Sequence, residues 1–390
     1  MIKHIKSIVS VAAVAFLVYI FTFYIDGEMG IILLAFVAFA PLVSLFFMLY
    51  ARKRVKVEFN CDAYVAKGSV LTVTVNIRKK GAFPIGVLEI CPYASEVFGQ
   101  DIKTRKLTML NEEKKSFKFD LNAVTGGNGE VGIKAVYSCG FLGFMKRTVL
   151  TPFPSPASVG VIPQIPEIKA SSQLFRTIAN IVHTSDEEEE KETQMMFSSN
   201  TSPGYEHREY TQGDPLKRIN WKLSSKKTKL MVRLDEAAAS VQPVLVLDLF
   251  RRGHIPTANA VRGEEQLLRA IFGLLNLLIR QGIACKFVYR TADGTSVCES
   301  IDNPDYPDQL LLKVLAVKVV PDTRVDLSQA GGSVCSCVIA TTDAGEGFSA
   351  VTSCVEDQDN VSIIGLSVAS VNSTMLPLWY LDEDNNFKMV

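Results

Sequence analysis

Two apolar runs at the amino terminus constrain this chain more than any other feature. Ile8 to Ile25 is broken only by Ser10 and Thr22, and Ile31 to Tyr50 only by Pro41 and Ser44. A helix rises about 1.5 Å per residue, so each run reaches roughly 27–30 Å, the depth of a bilayer core. Pro41 is tolerable in such a helix because neighbouring groups satisfy the carbonyl it frees. Asp26-Gly27-Glu28-Met29-Gly30 supplies a polar turn between the runs. The spacing predicts a transmembrane helical hairpin over residues 1–54, with helices at about 8–25 and 31–50. Lys3 and Lys6 precede the first run, Arg52, Lys53 and Arg54 follow the second, and the turn carries only acids. Positive residues favour the cytoplasmic side. The expected location is therefore the cell membrane, multi-pass, with both termini and the soluble domains cytoplasmic and the lipid bilayer as a partner. No small-x-small cleavage pattern precedes Asp26, which argues against a removed signal peptide.

Charge and cysteine content exclude other classes. Lys+Arg and Asp+Glu are both 41, so the chain lacks the basic surplus that coats nucleic acid, and no nucleic-acid partner is expected. Eight cysteines in 390 residues are far too few for a disulfide scaffold. Over residues 55–165 the pattern has period two. Val70, Thr72, Thr74 and Asn76 alternate with Leu71, Val73, Val75 and Ile77, which puts one set on each face of a strand. Further short strands between Lys79-Lys80-Gly81 and Gly126-Gly127-Asn128-Gly129 turns predict an antiparallel, immunoglobulin-like β-sandwich. Residues 166–203, with the run Asp-Glu-Glu-Glu-Glu-Lys-Glu at 186–192 and Ser/Pro/Gly after it, read as an acidic linker.

Residues 241–390 alternate strand and helix. Val244 to Leu247 is a continuous apolar run ending at Asp248. Leu267, Leu268, Ile271, Leu274, Leu275 and Leu278 recur at helical spacing, and Ala284–Tyr289, Val334–Ala340 and Val361–Leu366 are further buried strands. Such alternation predicts a three-layer α/β domain with a mostly parallel sheet. Ligands on these sheets bind beyond the carboxyl ends of strands, which makes Asp248 and Thr341-Thr342-Asp343 the default functional edge.

The densest information lies in residues 204–240. Gly213 allows a sharp turn, Asp214 can cap a helix, and Pro215 suits its first position. Leu216, Ile219 and Leu223 then share one face, and Arg218 and Lys222 neighbour each other beside Trp221. Leu230, Val232 and Leu234 alternate as a strand. Arg208-Glu209-Tyr210, Gly213-Asp214, Lys217-Arg218-Ile219, Trp221-Lys222, Ser224 and Lys229-Leu230-Met231-Val232-Arg233, in that order, resemble the signature of the bacterial domain of unknown function 58 family. Ser225 stands where that family often has Ala. The resemblance implies a membrane-anchored protein whose last domain is similar to the von Willebrand factor type A fold. It also implies partnership with a MoxR-type AAA+ ATPase in assembly or maturation of other proteins. Metal-binding versions of that fold end their first strand in Asp-x-Ser-x-Ser. Here the stretch is Asp248-Leu249-Phe250-Arg251-Arg252, so the edge at Asp248 and Asp343 reads as a degenerate metal site, and no metal is expected. Asp248 or Asp343 is expected to pair with Arg251 or Arg252.

The resulting expectation is an adaptor and not an enzyme, with no catalytic residues and no cofactor. Arg208, Glu209, Tyr210, Gly213, Asp214, Arg218, Trp221 and Lys222 would form a contact surface, or weld the linker to the α/β domain. The alternative is a hydrolase or transferase acting on envelope material through Asp248, Asp343 or His207. None of the four histidines sits in a triad or zinc pattern, and Cys335-x-Cys337 falls on a predicted buried strand.

Overall fold

The computed structural model describes residues 2–389 except 25–26, 82, 100–101, 141–144, 184–206, 211–218, 220, 228, 234–241, 252, 254–256, 292, 329–335, 346, 354, 356–359 and 367–375. The described chain divides into two compact units, the first comprising Met1–Gln164, Gly253–Glu265 and Leu311–Val319 and the second Ile165–Arg252, Gln266–Leu310 and Val320–Val390.

Helices α1 (Ile2–Tyr24) and α2 (Gly27–Arg54) open the first unit. They meet where Gly30 crosses Thr22, so closely that a Cβ on Gly30 would fall 2.4 Å from the Thr22 Cα. The Thr22 hydroxyl donates back to the Val18 carbonyl at 2.8 Å, which satisfies it within its own helix. Helix α2 is long and apolar enough to cross a membrane, whereas the apolar stretch Ala12–Tyr24 is shorter. Past the apolar run it continues to Arg54, because Arg and Lys are good helix formers and their charge suits a helix carboxyl end.

With no intervening loop, α2 enters β1 (Val55–Asn60). One sheet orders β1, β3 (Val70–Lys79) and β6 (Lys114–Asn122), all antiparallel. The other orders β2 (Tyr64–Ala66), β9 (Ala157–Ile162), β7 (Gly127–Cys139), β4 (Ile85–Ala94) and β5 (Arg105–Met109), with β8 (Lys146–Thr148) on β7; its β2–β9 pair alone is parallel. Leu71, Val73, Val75 and Ile77 of β3 are buried as the alternation requires, and Val70 and Thr72 face out. They share a core with Ile85, Leu88 and Ile90 of β4 and Val159 and Val161 of β9, which makes the two sheets a β-sandwich.

Inside the segment expected to be an acidic linker, residues 173–183 form helix α3, with Leu174 and Ile178 buried; its acidic run lies outside the described residues. An apolar face at helical spacing gave this stretch something to pack, which the charge run beside it obscured.

In the second unit, β12 (Val244–Asp248), β13 (Cys285–Arg290), β15 (Cys337–Thr341), β16 (Val361–Ile364) and β17 (Leu378–Leu381) are parallel. Antiparallel β14 (Ser296–Ile301) and β18 (Phe387–Met389) close the two edges. The order β14-β13-β12-β15-β16-β17-β18 puts β12 in the interior, third of seven beside the middle strand β15, and makes the sheet mixed. Helix α5 (Ala258–Arg280) buries Leu267, Leu268, Ile271, Leu274, Leu275 and Leu278. It stops at Gly282, whose φ of 80° is a conformation that L side chains resist.

Candidate functional site

Two regions carry the residues singled out by the sequence. The first is the signature segment. Strands β10 (His207–Glu209) and β11 (Met231–Arg233) pair antiparallel, with Arg208 opposite Val232 and Glu209 opposite Met231. The Tyr210 N–H donates to the Leu230 carbonyl at 2.8 Å, continuing the ladder, and the Tyr210 side chain is half-buried. Helix α4 (Trp221–Lys227) packs above β11. The Ser224 hydroxyl, buried, accepts the Met231 N–H at 2.8 Å and so ties helix to strand. Ile219 is buried and Leu223 half-buried, but Ile219 precedes α4, so the two do not share the face of one helix as expected. Trp221 is 64 % exposed, and Lys222 is exposed beside it. Gly213, Asp214 and Arg218 lie outside the described residues, as does the start of the expected helix at Pro215.

The second region is the carboxyl end of β12. Every residue of that strand is buried, so Asp248 arrives in the interior with only 1 % of its surface exposed. A charge there is costly unless it is paired and hydrogen-bonded. The carboxylate has three donors: Arg324 Nη1 at 2.8 Å and Thr341 Oγ1 at 3.1 Å, both to Oδ2, and the Val325 N–H at 3.2 Å to Oδ1. Burial pushes the Asp248 carboxyl above the usual carboxylate range, and Arg324, the Val325 N–H and Thr341 pull it back only in part.

The cation opposite Asp248 is thus Arg324, which corrects the expectation of Arg251 or Arg252. Arg252 is outside the described residues, and the Arg251 backbone serves the loop instead, its carbonyl accepting the Asp322 N–H at 2.8 Å. That bond helps fix the loop before Arg324, where Asp322 adopts a φ of 55°, one of the few side chains that tolerates it. Arg290 holds the same loop through the Thr323 hydroxyl and, at 2.9 Å, the Val320 carbonyl. The Arg324 guanidinium lies 4.1 Å from the centre of the Phe250 ring and 5.6 Å from that of Phe348. Phe250, at the position where a hydroxyl would serve a metal, instead gives a π-face to the cation. Asp343 takes a different part. Its Oδ1 accepts the Gly345 N–H at 2.8 Å, and its own N–H donates to the Thr341 hydroxyl oxygen at 3.3 Å, so it shapes the turn after β15.

This donor set does not suit a divalent cation. Phe250 offers no oxygen, the oxygens of Asp248 are engaged by three donors, and a fixed positive charge stands within 2.8 Å. Among the described residues no three His, Cys, Asp or Glu side chains are grouped as ligands. Sequence reasoning found Asp248, Phe250 and Thr341 but missed Arg324 and Phe348. The available signal was indirect: a strand-end carboxylate inside an apolar run needs a cation, but nothing in the sequence named which one.

By fold, the described chain is a β-sandwich followed by a mixed α/β sheet, preceded by an apolar helical segment. Residues 206–285 match the family model described as Protein of unknown function DUF58, a span that contains both the signature segment and Asp248. No curated protein matches the chain. Solved structures similar to parts of it include the CARDB domain of a Pyrococcus furiosus protein, at 14% identity over 28% of this chain and 94% of that one with a TM-score of 0.23. A cohesin module from Clostridium perfringens is similar at 12% identity over 29% of this chain and 99% of that one, with a TM-score of 0.22.

Proposed function

We propose that this protein is a membrane-anchored adaptor that presents the signature segment to a MoxR-type AAA+ ATPase during assembly or maturation of other proteins. In this reading α1 and α2 cross the bilayer as a hairpin and leave the termini and both soluble units in the cytoplasm. The unit from Ile165 onward is a degenerate von Willebrand factor type A-like domain. Its strand order supports that assignment, with the first strand interior, the second and the antiparallel third on one side of it and the fourth to sixth on the other. So does the position of Asp248, kept at the end of the first strand.

The observation that carries the adaptor reading is the exposure of Trp221. Tryptophan is rarely left in water without a use, and it is enriched where protein surfaces bind one another. The enzyme alternative needs a carboxylate that substrate can reach. Asp248 is enclosed and already saturated with donors, which weighs against it.

Affinity capture of the full chain from detergent-solubilised membranes tests the proposal, comparing wild type with Arg218→Ala/Trp221→Ala. Recovery of an AAA+ ATPase with wild type and its loss with the variant is the expected result. Equal recovery overturns the chosen surface.

A further inference from the structure

The β-sandwich holds α2 at a depth that a membrane-spanning helix cannot spare. Ile31 to Tyr50 is twenty residues, and a span needs about twenty, or roughly 30 Å. Glu28 bounds the run at one end and Arg52, Lys53 and Arg54 at the other, so Tyr50 must lie at the interface and everything before it deeper. Yet two sandwich loops reach past Tyr50. Between β3 and β4, the Phe83 ring lies 5.5 Å from that of Tyr50 and 6.4 Å from those of Phe46 and Phe47, edge-on. Between β7 and β8, Gly140 lies so close to Ser44 that a Cβ there would fall 2.5 Å from the Ser44 hydroxyl. A cavity of about 50 Å³ beside this contact is lined by Pro41, Ser44, Leu45, Met48, Gly140 and Met145. Ser44 precedes Arg52 by eight residues, or about 12 Å along the axis.

The loops are dressed for that depth. Phe83 is 53 % exposed and Met145 52 %, an arrangement that costs free energy in water but not in lipid. The Gly140 N–H donates to the Met145 carbonyl at 3.0 Å, and the Leu150 and Lys80 N–H groups tie the sandwich to the end of α2 through the Arg52 and Arg54 carbonyls at 2.9 Å. Behind Phe83 and Met145 come the exposed cations Lys53, Lys80 and Arg147, at the level where headgroup phosphates lie.

We infer that the sandwich is itself a membrane-inserting domain. Two of its residues, Phe83 and Met145, dip below the headgroups beside α2 into the acyl boundary of the bilayer. The inference rests on the reading that α2 spans a membrane, and the experiment separates the two.

The full chain is reconstituted into phospholipid nanodiscs, and a tryptophan is added by Phe83→Trp, Met145→Trp or, as a marker of the span, Phe36→Trp. Quenching by lipids brominated near the carbonyl or near the chain end is compared with the parent, which already carries Trp221 and Trp379. Added emission from positions 83 and 145 should be blue-shifted and quenched most by bromine near the carbonyl, and that from position 36 by bromine near the chain end. Quenching at 36 with water-like, unquenched emission at 83 and 145 overturns the inference and leaves the span intact. Loss of quenching at all three overturns both. Because two loops are probed separately, a folding defect in one variant leaves the other to decide.

Discussion

At the scale of single residues, Asp248 depends on a counter-ion 76 positions further along the chain. Truncating a buried ion pair on one side leaves a charge in the interior, a loss of about 3–5 kcal/mol. Arg324→Met should therefore destabilise the α/β unit by that order in denaturant titration, while Asp248→Asn/Arg324→Met should recover most of it. The pH dependence has a definite sign. Asp248 already titrates above its ordinary value, and removing Arg324 takes away an influence that lowers it. A carboxyl raised in the folded state favours folding below its unfolded pKa and loses that contribution as pH rises through the folded one. The deficit of Arg324→Met relative to wild type should thus be largest near neutrality and shrink on acidification. A deficit that grows on acidification would contradict this assignment. The place of Asp248 was readable, because an apolar run that ends in an acid marks the carboxyl end of a buried strand. Its partner was not, since Arg324 sits in an irregular loop where neither period constrains it.

At the scale of elements, the signature segment is a strand pair with a short helix, held by Ser224, the serine that closes the Trp-Lys-x-Ser part of the family resemblance. The residue that departs from the resembling family is Ser225, yet its hydroxyl only donates to the Lys222 carbonyl at 3.0 Å on the exposed face of α4. Ser224, one position earlier, faces inward and accepts the Met231 N–H. Ser224→Ala should cost about 1 kcal/mol and speed amide hydrogen exchange at Met231, while Ser225→Ala should be close to neutral. Equal protection at Met231 in both variants would show that the helix is held by other contacts. The alternation of Leu230 and Val232 correctly placed a strand near β11. The helix was expected from Asp214 and Pro215, but the described one begins only at Trp221, because so short a helix gives too little periodicity to fix its start.

Across the molecule, the two units were legible for opposite reasons. Strands of the sandwich alternate because one face of each sheet meets solvent, and those of the α/β sheet are continuous because both faces are covered. The terminal strands β17 and β18 escaped notice: four and three residues long, they flank an acidic turn and are too short to show a period. How α2 ends was also hidden. Hydropathy marks where a span stops, but Ala51, fully buried, belongs to the sandwich core along with Val55 and Val57. The last turn of the helix is therefore part of the sandwich core, whereas Val244, Ile339 and Ile363 build a core in the α/β unit. Each core should answer to its own mutation. In detergent, calorimetry should resolve two transitions. Ala51→Leu, which overfills its site at about 1–3 kcal/mol, should lower that of the sandwich, and Arg324→Met that of the α/β unit. If both substitutions shift one common transition, the units unfold as a single cooperative body and the anchor's stability reaches through to Asp248.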